Sequence, residues 1–241
     1  MKTIKFISAV LFLSLVVSSC YRRHPYPVRG KGADVSEIRS TGGFSKIAVS
    51  IDADVEYTPD STYYLEVIAQ SNIQEVLTTN VRHNTLEIGF EGTVWDHHPI
   101  KVLVHSPELR GVEISGSGVV LATRSFTTQI FDAQISGSGK IDLNGITASS
   151  VTGNISGSGS VYFGSGTCVS ETLCISGSGS FNGLDLQTKT CNAKISGSGD
   201  VHVNVSEVLD ACISGSGDIH YKGRPVVNSN NSGSGRLIHV D

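Results

Sequence analysis

An all-β fold, a parallel β-helix of about 20-residue coils, is predicted for this chain by three observations. The word ISGSG begins at Ile114, Ile135, Ile155, Ile175, Ile195 and Ile213 and returns as NSGSG at Asn231, with spacings of 21, 20, 20, 20, 18 and 18 residues. Two positions beyond each copy stands a largely apolar column of Val120, Ile141, Val161, Phe181, Val201, Ile219 and Leu237. A second follows two residues later at Ala122, Leu143, Phe163, Gly183, Val203, Tyr221 and His239, with mainly polar residues between. A local period of two marks a strand with one inward face, and recurrence every 20 residues marks a solenoid whose units bury their apolar sides only by stacking. No repeat has the length or the three-to-four spacing of a packed helix.

The chain starts with an address. Lys2 and Lys5 precede a twelve-residue apolar run, Phe6 to Val17, which is too short to span a bilayer and has the order of a secretory signal. Val17-Ser18-Ser19-Cys20 resembles a bacterial lipobox, which implies a signal peptide over 1–19, cleavage before Cys20 and acylation of that residue. Several acyl chains, each methylene contributing about 0.8 kcal/mol, make a durable anchor. By resemblance to lipoprotein sorting, Tyr21 in place of Asp directs the protein to the outer membrane, with its periplasmic or outer face left open. Residues 20–37, carrying Arg22, Arg23, Pro25, Pro27, Gly30 and Gly32, are expected as a flexible tether, and residues 38–241 as one β-helical domain.

Between Ile38 and Pro107 the alternation persists without the repeat word. Ile47–Ile51, Val55–Tyr57, Tyr64–Val67, Leu86–Phe90 and Ile100–Val104 have strand patterns, and Asn72 to Leu77 is expected as one helical turn with Asn72 as its cap. This region is predicted to form the less regular first coils and to close the end of the rod, about ten coils in all and near 50 Å long at roughly 4.8 Å per coil. In the repeats the Ile of each word forms an internal ladder, the glycines make corners and the serines stack in columns. GSGSG lacks the helix and the partner residues that a phosphate cradle requires.

Four cysteines follow Cys20: Cys168, Cys174, Cys191 and Cys212. They admit three pairings, but Cys174 and Cys212 fall two coils apart, so buried free thiols are expected. Asp200 and His202 occupy the same coil positions as Asp218 and His220 in the next coil, and form either a divalent metal site or a solvated polar face. The segment Thr93–Pro99 holds the chain's one Trp, and Trp95, His97 and His98 form either a ligand contact or, through Trp95, a plug for the core.

The order GGFSKIAVSIDADVEY at Gly42–Tyr57, a Leu-Glu-Ile strand at Leu86, SPELRGVEISGSG at Ser106–Gly118 and serial SGSG words resembles the bacterial family named putative auto-transporter adhesin, head GIN domain. The resemblance covers about Ile38 to Asp241. It implies a right-handed β-helix and an adhesion role, and carries over no catalytic residues.

Charge narrows the partners. Loss of Lys2 and Lys5 with the signal takes the formal net charge from −4 to −6, which argues against nucleic acid or the anionic face of a membrane as partner. No Ser/His/Asp set, no paired acids at matching coil positions and no Gly-Gly-x-Gly-x-Asp nonapeptide supports an enzyme or a calcium solenoid. The expectation is a non-catalytic, lipid-anchored adhesion or ligand-binding module with no cofactor. Its partners would be a membrane through the N-terminal lipid, and a surface glycan or protein. A periplasm-facing structural lipoprotein is the alternative, and a carbohydrate-processing β-helix enzyme a third reading.

Overall fold

A computed structural model describes residues 27–241. The expected signal peptide, Cys20 and the first part of the expected tether lie outside the described residues. The remainder is a β-solenoid of about 6 turns, nearly all strand.

The repeats stack as the spacing predicts, but the strands are longer than the alternation alone suggested. Lys140–Gly157, Ser160–Gly177 and Ser180–Gly197 each run 18 residues, because the ladder continues round the bends of the coil. Pairing is parallel and aligns Ile155, Ile175, Ile195 and Ile213 in one column. Those four side chains are 2% exposed, and Val161, Phe181 and Val201 are at most 1% exposed. The Phe163 and Phe181 rings stack with centroids 6.2 Å apart, and Phe181 occupies the space that a side chain at position 153 would need, where Gly stands. The 18-residue spacing is absorbed in two steps: Gly183 pairs with Val203 but Gln187 with Asn204, which leaves Leu184–Leu186 without partners in the next coil, and Thr188 pairs with Val205 but Thr190 with Val208, which returns one residue and keeps the Ile column in register.

The glycines of the word do two different jobs. Gly177 adopts φ +133°, and a Cβ there would lie 2.4 Å from the Gly157 carbonyl oxygen of the coil below. Gly179 leaves room instead for the γ2 methyl of Ile155, which a Cβ would approach to 2.5 Å. Both are demands that only Gly meets cheaply. At this corner the axial hydrogen bonds run from backbone to backbone, as in Ser178 N–H donating to Gly157 O at 2.9 Å, while the serines form exposed columns.

The first part of the chain departs from the expected count of coils. Lys46–Val49 and Asp54–Pro59 form a true coil, parallel to Gly111–Ile114 and Val119–Ala122 on one side and to Thr85–Phe90 and Lys101–Ser106 on the other. Beyond that the direction reverses. Tyr64–Gln70 lies antiparallel on Lys101–Ser106, Leu77–Arg82 antiparallel on Thr85–Phe90, and Asp34–Ile38 antiparallel on Tyr64–Gln70. His83 and Asn84, both at positive φ (46° and 64°), make the two-residue hairpin turn that forces one reversal. About six turns plus an antiparallel cap therefore replace the ten coils and the 50 Å rod expected from the sequence.

Two further expectations are corrected at this end. The helical turn spans Ser71–Gln74, starting one residue and ending three residues before the expected Asn72–Leu77, and has no side-chain cap. Asn72 acts elsewhere: its Oδ1 accepts from Lys31 N–H at 2.7 Å and its Nδ2 donates to Arg29 O at 2.7 Å. Much of the expected tether is thus folded, with Val28–Arg29 paired to Val94–Asp96 and Asp34–Ile38 part of the cap. Backbone pairing, rather than apolar burial, holds these residues, so composition alone could not reveal it.

Candidate binding surface

Because side chains alternate along each strand, every outward position repeats coil after coil as an axial column. Thr127, Thr147, Thr167 and Gln187 form one such column. Ser149, Val169 and Lys189 stand at the next outward position, with Val169 52% exposed. Between them lies a groove of about 660 Å³ that runs along the rod. Its floor is Thr128, Ala148, Cys168 and Thr188, all turned inward at the corner.

That corner has a chemical logic. Thr128 Oγ1 donates to Ile130 O at 3.2 Å, Cys168 Sγ to Ser170 O at 3.0 Å and Thr188 Oγ1 to Thr190 O at 3.5 Å. A short side chain with one donor closes the bend by bonding the carbonyl two residues on. Cys168 stands in for Thr at this position, and burial pushes its thiol pKa up. The floor is consequently fixed, while the rims present hydroxyls, methyls and one ammonium, which pairs with Glu207 at 3.6 Å.

A second groove of about 450 Å³ lies along the outward column Gln134, Asn154, Cys174, Lys194 and Cys212, beside the first serine of each word. Lys194 separates Cys174 from Cys212, so these thiols cannot approach each other. Cys168 and Cys191 are buried as expected, but Cys174 and Cys212 are only half-buried. They face the groove, because the position before the inward Ile must point outward.

The polar pair on adjacent coils is assembled differently from a ligand set. Asp200 Oδ1 accepts the backbone N–H of Asp218 at 3.0 Å, and Asp218 accepts from Arg236 Nη2 at 2.6 Å. The His202 and His220 rings stack 4.5 Å apart and 6° from parallel, which directs their lone pairs side by side rather than onto one point. Among the described residues, no group of three or more His, Cys, Asp or Glu converges as metal ligands. Burial, and then the neighbouring His220, lowers the pKa of His202.

Trp95 is 66% exposed and does not plug the core. The Arg29 guanidinium sits 5.6 Å from its ring centroid. His97 and His98 are occupied with structure: the His97 ring meets Phe90 edge-on at 5.7 Å, and His98 Nδ1 lies 2.9 Å from Asp34 Oδ1. Of the three residues expected as a contact, Trp95 and His98 are exposed, and His97 is half-buried.

One group escaped the sequence reading. Glu171 is 3% exposed inside the solenoid, in the column of Val151, Cys191 and Leu209, and its Oε1 has no hydrogen-bond partner. Burial pushes its pKa up to about 8, against a smaller opposing effect of the Cys191 thiol. Counting four residues back from each repeated Ile would have exposed this lone acid among Phe131, Val151, Cys191 and Leu209.

Known proteins agree with this architecture. The crystal structure of a putative adhesin from Bacteroides fragilis is 25% identical, with 88% of this chain and 100% of that one covered and a TM-score of 0.84. A putative lipid binding protein from Parabacteroides distasonis is 24% identical, covering 90% and 100%, with a TM-score of 0.76. A putative adhesin from Parabacteroides merdae is 21% identical, covering 89% and 99%, with a TM-score of 0.72. No match was found among curated proteins. A family profile, putative auto-transporter adhesin, head GIN domain, matches residues 43–225, and the chain belongs to that family.

Proposed function

We propose that the protein is a lipid-anchored component of the outer membrane whose β-helix acts as a non-catalytic adhesion module for a surface glycan. The observation that carries this is the Thr147–Thr167 groove, in which hydroxyls and methyls recur at the coil spacing on a rigid floor. A polymer with its own regular repeat can make the same weak contact on several coils at once. A ladder that is already ordered spends little binding energy on ordering itself. Family membership and likeness to the putative adhesin from Bacteroides fragilis support the reading. Lipidation rests on the sequence through Cys20.

Protease shaving of intact cells, with a periplasmic protein as integrity control, tests the setting. Loss of the protein supports surface adhesion, and protection until the outer membrane is permeabilised replaces it with a periplasmic structural role. A glycan array then tests the groove. Thr147→Lys and Thr167→Lys, both outward on the rim, should reduce retention at least tenfold without altering the fold, and unchanged retention by both variants would refute the groove as the site.

A further inference from the structure

The described chain enters the fold at the cap, and the cap carries chemistry that suits a membrane. Seven residues separate Cys20 from Val28, so even at full extension that chain carries Val28 no farther than about 28 Å from the acylated residue. Val28–Arg29 is paired with Val94–Asp96, which places the exposed Trp95 where the chain enters the fold. Arg29 lies over the Trp95 ring, and Lys31 follows, its backbone fixed by Asn72. No Asp or Glu occurs among the first 33 residues, whereas Arg22, Arg23, Arg29 and Lys31 lie between Cys20 and Asp34. Of the nearest acids, Asp34 is paired with His98, leaving Asp96 as the offsetting charge on the two-stranded ribbon.

An amphipathic ring under the Arg29 guanidinium, with Lys31 two residues farther along the chain, suits the boundary between acyl chains and anionic headgroups. The net negative charge of the mature chain argues against an anionic membrane face for the molecule as a whole, but exposed charges act locally, within a screening length of about 8–10 Å, so the basic entry segment is felt first at this end. We propose that the Trp95–Arg29 end of the cap lies against the membrane that holds the anchor, with the anionic lipid headgroup as its ligand. The rod then stands with its cap on the bilayer and its repeats directed away. This inference rests on the lipid-anchor reading of Cys20.

Because Trp95 is the chain's one Trp, its fluorescence reports this contact without a label. Full-length protein purified from membranes, with the mass of the acyl groups on Cys20 verified, is reconstituted into phosphatidylethanolamine vesicles containing phosphatidylglycerol, with and without brominated acyl chains. The expected result is a blue-shifted emission quenched at least twofold by the brominated lipid. Lys31→Glu, and separately Arg29→Glu, should halve that quenching while circular dichroism keeps its β signal. Lys31 takes part in the fold through its backbone, so its variant stays informative if Arg29→Glu fails to fold. Unquenched emission from acylated protein would overturn the contact and leave the anchor standing. Cys20 without acyl groups in native membranes would remove the anchor reading, and the contact with it. Quenching that both charge reversals leave unchanged would overturn the headgroup as ligand.

Discussion

Glu171 makes the solenoid's stability depend on pH in a direction opposite to that of an ordinary surface carboxylate. With the pKa raised from 4.5 to about 8, the folded state holds its proton where the unfolded chain has lost it. A folded pKa above the unfolded value gives stability that is fully present below pH 4.5 and lost as pH rises through 8. At 1.36 kcal/mol per unit the shift is equivalent to up to about 5 kcal/mol, of which about 3–4 kcal/mol falls between pH 5 and pH 8. Glu171→Gln keeps the shape and removes the proton equilibrium. The assay is urea denaturation followed by circular dichroism at pH 5, 6.5 and 8, with Glu171→Leu as a second variant that also removes the unpartnered oxygen. Wild type should lose stability across this range, and both variants should be flat relative to it. An identical pH slope in wild type and both variants would show that Glu171 is ionised without penalty and that the interior around Cys191 and Gly183 is wetter than its burial implies.

Three further outcomes follow from named contacts. Gly177→Ala forces a side chain into left-handed backbone 2.4 Å from the Gly157 carbonyl, and should lower stability by about 1–3 kcal/mol or more, whereas Ser176→Ala on the exposed column should change the midpoint little. A maleimide reagent applied to the native protein should modify Cys174 and Cys212 and spare Cys168 and Cys191 until denaturant is added, as peptide mass mapping would reveal. Burial, and then the stacked His220 ring, favours the neutral form of His202 in the folded state, so its contribution is present above the ordinary histidine value of 6.5 and lost as pH falls below it. Melting curves of His220→Phe should accordingly fall less than wild type between pH 7.5 and pH 5.

How much could be foreseen depended on the range of the interaction involved. The Ile114–Ile213 ladder and the column through Phe181 were legible because equivalent residues meet equivalent neighbours in every coil, so one local pattern repeats its evidence. The cap was not legible. Tyr64–Gln70 and Lys101–Ser106 have the alternation of any half-buried strand, and alternation does not distinguish parallel from antiparallel partners. The turn at His83–Asn84 lacks the Asn-Gly or Asp-Gly that would announce a hairpin. For the candidate sites, Trp95 was visible as a lone aromatic among polar residues. The occupation of His97 and His98 by Phe90 and Asp34 depends on elements far away in sequence. The Thr147–Thr167 groove was hidden because its depth is set by how sharply Thr128, Cys168 and Thr188 close the corner.

By itself the sequence determined the coil period, the inward and outward sides of each repeat and the places where only Gly fits, since these follow from short-range sterics and from the burial of alternate side chains. Only the tertiary structure decided where the solenoid stops and reverses, which polar columns border a groove, and that Glu171 is sealed inside while Cys174 and Cys212 look out. Those outcomes are set by long-range strand pairing and by packing between coils, so the same short alternating segment could have satisfied several arrangements until its neighbours were in place.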